Sequence, residues 1–188
     1  GILFTVIVIT QVLSPLNSRC YEYISVDERR YWDDGCNIKL PFCNNMLQPS
    51  CNCAVLKLSN HNISELPTKF VELNALRDVA INHGPLKKLP PKMEELTQIT
   101  NFDISYNNIN EFNVNVLYWK RLASLSLISN NISIHNEGIW KHPQLINLDL
   151  SNNKGFRIPL GEREIDLPQL IYLNMLNNSV VIPEKLGI

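Results

Sequence analysis

Six times along this chain two apolar positions one residue apart are followed, at a fixed interval, by an Asn-like position. Leu56, Val79, Phe102, Leu125 and Leu148 occupy one slot at successive spacings of 23 residues, and Leu173 follows after 25. A unit that short holds one strand and a returning segment and cannot bury its own apolar face, so the copies must stack. In the clearest copy Leu148 and Leu150 alternate as a half-buried strand requires, with Leu145 leading in and Asn153 closing the unit. Ile99, Phe102, Ile104, Asn107 and Ile109 repeat that order. So do Leu122, Leu125, Leu127, Asn130 and Ile132, and then Leu170, Leu173, Met175, Asn178 and Val180. The return is periodic too: Phe70, Met93, Val116 and Ile139 share a column, and Leu73, Leu96, Trp119 and Leu167 share another that His142 interrupts. Both columns are expected to close the core from the side opposite the strands.

The order Leu145, Leu148, Leu150, Asn153 resembles the leucine-rich repeat, L-x-x-L-x-L-x-x-N-x-L, over residues 53–183. The resemblance implies an α/β solenoid, a curved horseshoe with short parallel strands on its concave face. It also implies that Asn107, Asn130, Asn153 and Asn178 lie inside, their amides bonding backbone groups of the turn that leaves each strand. Loss of one such amide would cost about 1–3 kcal/mol in unpaired backbone groups. His61 and Gly84 stand where the first two repeats should carry Asn, so the ladder is expected to be weaker there, with a water, Asn60 or Asn62 as the substitute. Leu66-Pro67 and Leu89-Pro90 look like the "L-P" variant of Ras-associated and plant intracellular repeat proteins, a feature that fades at Phe112-Asn113 and His135-Asn136. The likeness is specific for fold and unspecific for function, because receptors, scaffolds and inhibitors all use such repeats.

Residues 2–13 are almost wholly apolar, interrupted by Thr5, Thr10 and Gln11, and Pro15 with small polar residues follows. That pattern reads as a secretory leader. The competing reading, the remnant of a transmembrane anchor, needs roughly 20 apolar residues. Segment 1–18 is accordingly assigned to a signal peptide or anchor remnant, 19–52 to a cysteine-containing cap, and 53–188 to six repeats expected to be truncated at the C-terminal end.

All five cysteines, Cys20, Cys36, Cys43, Cys51 and Cys53, are expected to precede the first strand. Their clustering resembles the disulfide-bonded N-terminal cap of extracellular repeat proteins, with Cys51-Asn52-Cys53 close to that family's C-x-C. Cys36, Cys43, Cys51 and Cys53 are the disulfide candidates and Cys20 the expected odd thiol, while the pairing stays open among fifteen arrangements. The C-x2-C spacing of zinc sites is absent, and no metal or cofactor is expected. Asn62-Ile63-Ser64, Asn131-Ile132-Ser133 and Asn177-Asn178-Ser179 are glycosylation sequons that fit an exported chain. Asn62 and Asn131 share one repeat column, so exposure of one is expected to imply exposure of the other.

Formal net charge is −1, and no cluster of Lys and Arg offers a nucleic-acid or polybasic membrane surface. Membrane association is expected only through a leader or an anchor outside this fragment. The four histidines show no H-E-x-x-H or partnered Ser or Cys motif, and the scattered glycines form no phosphate loop, so no catalytic residue is assigned.

Strand residues that do not point inward should line the concave face. One row is Lys57, Asp103, Ser126, Asp149 and Asn174, the next Asp78, Asn101, Ser124, Asn147 and Tyr172, and a third Asn60, His83, Tyr106, Ser129, Asn152 and Asn177. Asp78, Asn101, Asp103, Tyr106, Ser126, Asn147, Asp149, Tyr172 and Asn174 are the candidate partner-binding residues, with the two tyrosines as anchors for a protein or peptide ligand. Small polar residues there also serve solubility alone. Trp119 and Trp140 read as core. The pattern points to a recognition module: first the ectodomain of a cell-surface receptor or adhesion protein, then a secreted inhibitor or matrix protein, then an intracellular scaffold. On this reading Leu148→Ala should cost about 2–5 kcal/mol, and Asp149→Ala should hardly alter stability.

Overall fold

The computed structural model describes residues 22–26, 54–134, 138–153, 155–156 and 165–178. Residues 1–18, expected to be a leader or anchor remnant, the five cysteines and His135 lie outside them.

Seven strands form one parallel sheet: β1 (Glu22–Val26), β2 (Val55–Ser59), β3 (Asp78–Asn82), β4 (Asn101–Asp103), β5 (Ser124–Ser126), β7 (Asn147–Asp149) and β9 (Tyr172–Asn174). They lie in chain order, β1-β2-β3-β4-β5-β7-β9, as a solenoid requires. The register runs Leu56, Val79, Phe102, Leu125, Leu148, Leu173, so the apolar row read from the sequence is one row in space. β1 was not foreseen. It lies between Cys20 and Cys36 and pairs with β2 from Glu22↔Val55 to Val26↔Ser59, so the cysteines do not all precede the first strand. Physically, β1 covers the unpaired backbone edge that β2 would otherwise present.

Between the strands the chain returns through four 3-10 turns, Thr68–Glu72, Met93–Glu95, Val116–Tyr118 and Ile139–Lys141, which are the helical part of the fold among the described residues. Three residues per turn give a compact return leg. Phe70, Met93, Val116 and Ile139 from these turns are buried against the inward strand row, as are Leu73, Leu96 and Trp119. His142 is also fully buried, so it continues that second column instead of breaking it. Phe102 packs on Trp119 at a centroid distance of 4.8 Å and faces Phe112 at 6.5 Å, the aromatic centre of the core. Trp140 is buried as well. A second parallel pair, β6 (Ser133–Ile134) with β8 (Gly155–Phe156), joins adjacent coils away from the main sheet. The Glu65↔Lys88 bridge does the same between earlier coils, reinforced by a 3.0 Å ion pair between their exposed side chains.

The Asn column binds each turn to its neighbours. Asn153 Nδ2 donates to the carbonyls of Leu127, Leu150 and Ser151 at 2.9–3.1 Å, and its Oδ1 accepts from Ile132 N–H at 3.1 Å. Asn107 and Asn130 repeat the arrangement, accepting from Leu86 and Ile109 N–H respectively. Asn178 keeps the three donations, to Leu150, Met175 and Leu176, while its buried Oδ1 has no hydrogen-bond partner among the described residues. In the first coil the equivalent backbone donor, Ile63 N–H, is accepted by His61 Nδ1 at 3.1 Å. Neither Asn60 nor Asn62 substitutes: Asn60 sits in the turn at φ 55° and Asn62 is exposed.

Candidate functional site

Parallel sheets are commonly covered on both faces. Here Leu56, Leu58, Val79, Ile81, Phe102, Leu125 and Leu148 bury one face, while the alternate positions of β2 to β7 are half-buried or exposed. The uncovered face therefore carries two registered rows. One runs Val55, Asp78, Asn101, Ser124, Asn147, Tyr172, and the other Lys57, Ala80, Asp103, Ser126, Asp149, Asn174. Eight of the nine candidate residues stand in these rows. Val55 and Ala80 complete them and give the face two small apolar positions that repeat alignment alone would have placed there.

Cross-strand hydrogen bonds hold this face. Asn101 Nδ2 donates to Asp78, and Asn82 Nδ2 donates to Asp103 Oδ2 at 3.1 Å. Asp103 Oδ1 takes the N–H and hydroxyl of Ser105, whose Oγ lies 2.7 Å from that of Ser126. The Asp-x-Ser unit recurs in the next-but-one coil: Asp149 Oδ1 accepts from Ser151 N–H at 3.0 Å and from its hydroxyl at 2.7 Å. Asp149 Oδ2 accepts from Asn174 Nδ2 at 3.0 Å and Tyr172 OH at 3.2 Å. Burial by itself would raise the Asp149 pKa, but the bonds from Ser151, Asn174 and Tyr172 outweigh it and hold the carboxyl below its ordinary value. Asp149 is thus tied to two coils, and the expectation that its removal hardly affects stability is corrected: the short side chain closes the bend that leaves its strand.

The third expected row has a different character. Asn60, His83, Tyr106, Ser129, Asn152 and Asn177 all adopt φ between 50° and 57°, so they form the left-handed turn at the ends of the strands and not a strand row. The turn also links coils. His83 and Tyr106 stack at 4.4 Å with planes 16° apart, and Asn177 Nδ2 donates to Asn152 Oδ1 at 2.8 Å. Tyr106 and Tyr172, the expected anchors, are each 47% exposed, the first at the rim and the second on the face. The stack of His83 under Tyr106 has no signal in the repeat alignment beyond their shared column.

Asn62 and Asn177 are exposed, while Asn131 is half-buried just before β6, so exposure of Asn62 does not carry over to Asn131. Among the described residues no group of His, Asp and Glu side chains is placed to hold a metal ion.

No family model and no curated protein matches the sequence. Solved structures do. The ectodomain of the Arabidopsis receptor kinase HAESA, solved with an extended IDA peptide hormone, is 26% identical with a TM-score of 0.61, covering 72% of this chain and 24% of that one. A leucine-rich repeat protein of Leptospira interrogans is 23% identical at a TM-score of 0.54, over 72% of this chain and 40% of its own. Drosophila Toll in its complex with Spatzle is 21% identical at 0.59, over 71% and 20%. The chain thus spans less than half the length of any of these three.

Proposed function

We propose, from the premise that this chain is a leucine-rich repeat protein, that it is a recognition module of an exported receptor or adhesion protein and docks a protein or peptide on its open sheet face. The observation that carries the reading is the uncovered face itself: two rows of side chains on parallel strands, polar except for Val55 and Ala80, braced by Asp78–Asn101, Asn82–Asp103, Ser105–Ser126 and Asp149–Tyr172 hydrogen bonds. A braced face loses little side-chain freedom on docking, which lowers the entropic cost of association. The hormone-bound ectodomain among the similar structures supports a peptide or protein as the partner class. The apolar leader, the sequons and the cysteine cluster support the exported setting over the intracellular scaffold.

The test compares partner capture by the wild-type chain with two variants, using a secreted and cell-surface protein fraction. Ser126→Arg, in the middle of the open face, should lower capture of a specific partner at least tenfold. Lys120→Glu, on the exposed return side, should leave it unchanged. Capture that survives Ser126→Arg and is lost with Lys120→Glu contradicts the reading.

A further inference from the structure

The return legs of the second to fourth coils are clasped by two polar members of an otherwise apolar column. Trp119 Nε1–H donates to the Met93 carbonyl at 2.9 Å, and His142 Nε2 lies 3.2 Å from the Trp119 carbonyl. A carbonyl can only accept, so Nε2 carries the proton. Nδ1 then offers its lone pair, and it takes Gln144 N–H at 3.3 Å. The ring is 0% exposed, and its neutral form with one fixed tautomer satisfies both nitrogens.

We propose that His142 is a proton-operated latch, whose protonation opens residues 139–150, from the fourth return leg into β7, while residues 79–104 stay closed. A second proton must sit on Nδ1, where it meets the Gln144 N–H donor instead of an acceptor. The resulting cation would also be fully buried. The preceding coil offers it the Trp119 and Val116 carbonyls, and the charged residues following Trp119 are the exposed cations Lys120 and Arg121. In its own coil Lys141 is exposed. From the following coil Leu167 packs against the core, and Asp166 is exposed with its N–H donating to the Trp140 carbonyl at 2.7 Å. Among the described residues no carboxylate hydrogen-bonds to the ring. Burial accordingly holds the His142 pKa below the ordinary histidine value, against the raising effect of the two carbonyls.

The sign follows from linkage. The folded ring resists a proton that the unfolded chain accepts, so stability of this coil is complete above the ordinary histidine value and declines as pH falls through it. The opened segment includes β7, which carries Asn147 and Asp149. Release of a partner on acidification would follow from the recognition role proposed above, while the opening itself is independent of it.

Hydrogen exchange of the full chain at pH 7.5 and 5.0, corrected for intrinsic rates, tests the latch without a partner. Protection of residues 139–150 should fall by up to about tenfold per pH unit below the ordinary histidine value, with residues 79–104 retaining theirs. His142→Leu, which restores the residue type of Leu73 and Leu96, should keep protection at both pH values. Unchanged wild-type protection, a loss spread evenly over all coils, or an equal loss in His142→Leu overturns the proposal. Should the variant fail to fold, imidazole 15N shifts of the wild-type chain decide. A protonated Nε2 at neutral pH with titration below the ordinary value is expected, and titration at or above it overturns the latch.

Discussion

The imidazole of His61 fills the place of a side chain at Gly84: a Cβ on Gly84 would meet His61 Cε1 at 2.1 Å. Two departures from the Asn column thereby compensate each other. In later coils an Asn Oδ1 from the following coil accepts the backbone N–H of Leu86, Ile109 or Ile132. At Ile63 the following coil supplies Gly84, and His61 Nδ1 accepts instead. Gly84→Ala should therefore destabilise the protein by about 1–3 kcal/mol through overpacking against a buried ring, read from denaturant midpoints. Combining it with His61→Ala should cost less than the sum, because the methyl enters the space the ring leaves. Strict additivity would show that the two residues do not share that space.

Asn153→Ala removes three hydrogen bonds donated by one amide NH2 group and one accepted by its oxygen, between consecutive turns. A loss of about 1–3 kcal/mol is expected from the buried carbonyls and N–H left unpaired. Equilibrium urea unfolding measures it, and a change within a few tenths of a kcal/mol would show that water replaces the amide at no cost.

Leu148→Ala empties a fully buried position and should cost about 2–5 kcal/mol. Its neighbour Asp149 faces outward yet accepts four hydrogen bonds, so Asp149→Ala should cost about 1 kcal/mol. Equal losses would contradict the assigned facing of β7.

The pH dependence of Asp149 has the opposite sense to that of a group whose folded pKa is raised. Its folded pKa is depressed, so its contribution is present above the ordinary aspartate value and is lost as pH falls through the folded one. The stability gap between wild type and Asp149→Asn should narrow from pH 7 to pH 3 in chemical denaturation. A gap that widens would mean that the carboxylate is not stabilised by Ser151, Asn174 and Tyr172.

The exported setting predicts that thiol titration under denaturing, non-reducing conditions finds one free thiol among the five cysteines. Five free thiols would favour the intracellular scaffold.

Rows set by burial were legible in the sequence. Leu56 through Leu148 repeat apolar character and Asn107 through Asn178 repeat one amide, each for one physical reason, and periodicity exposes that reason directly. Positions decided by a partner in another coil were not. His61 reads as a missing Asn until the glycine of the next coil is set beside it, and His142 reads as an interruption until the Trp119 carbonyl and Gln144 N–H complete its ring. Tyr106 shares the alignment column of Asn60 and Asn177, but only backbone dihedrals distinguish a left-handed turn from a strand row. β1 lies outside the 23-residue frame, 33 residues ahead of its partner row, so no repeat pattern announces it.

Recognition by the open strand face is tested most directly by placing a photo-crosslinking amino acid singly at Ser126 or Asn147 on that face and at Leu117 or Tyr118 on the exposed return side. Irradiation with a secreted and cell-surface protein fraction should give a discrete adduct from positions 126 and 147, competed by excess wild-type chain, and none from 117 and 118. Competable adducts from positions 117 and 118 alone would contradict it.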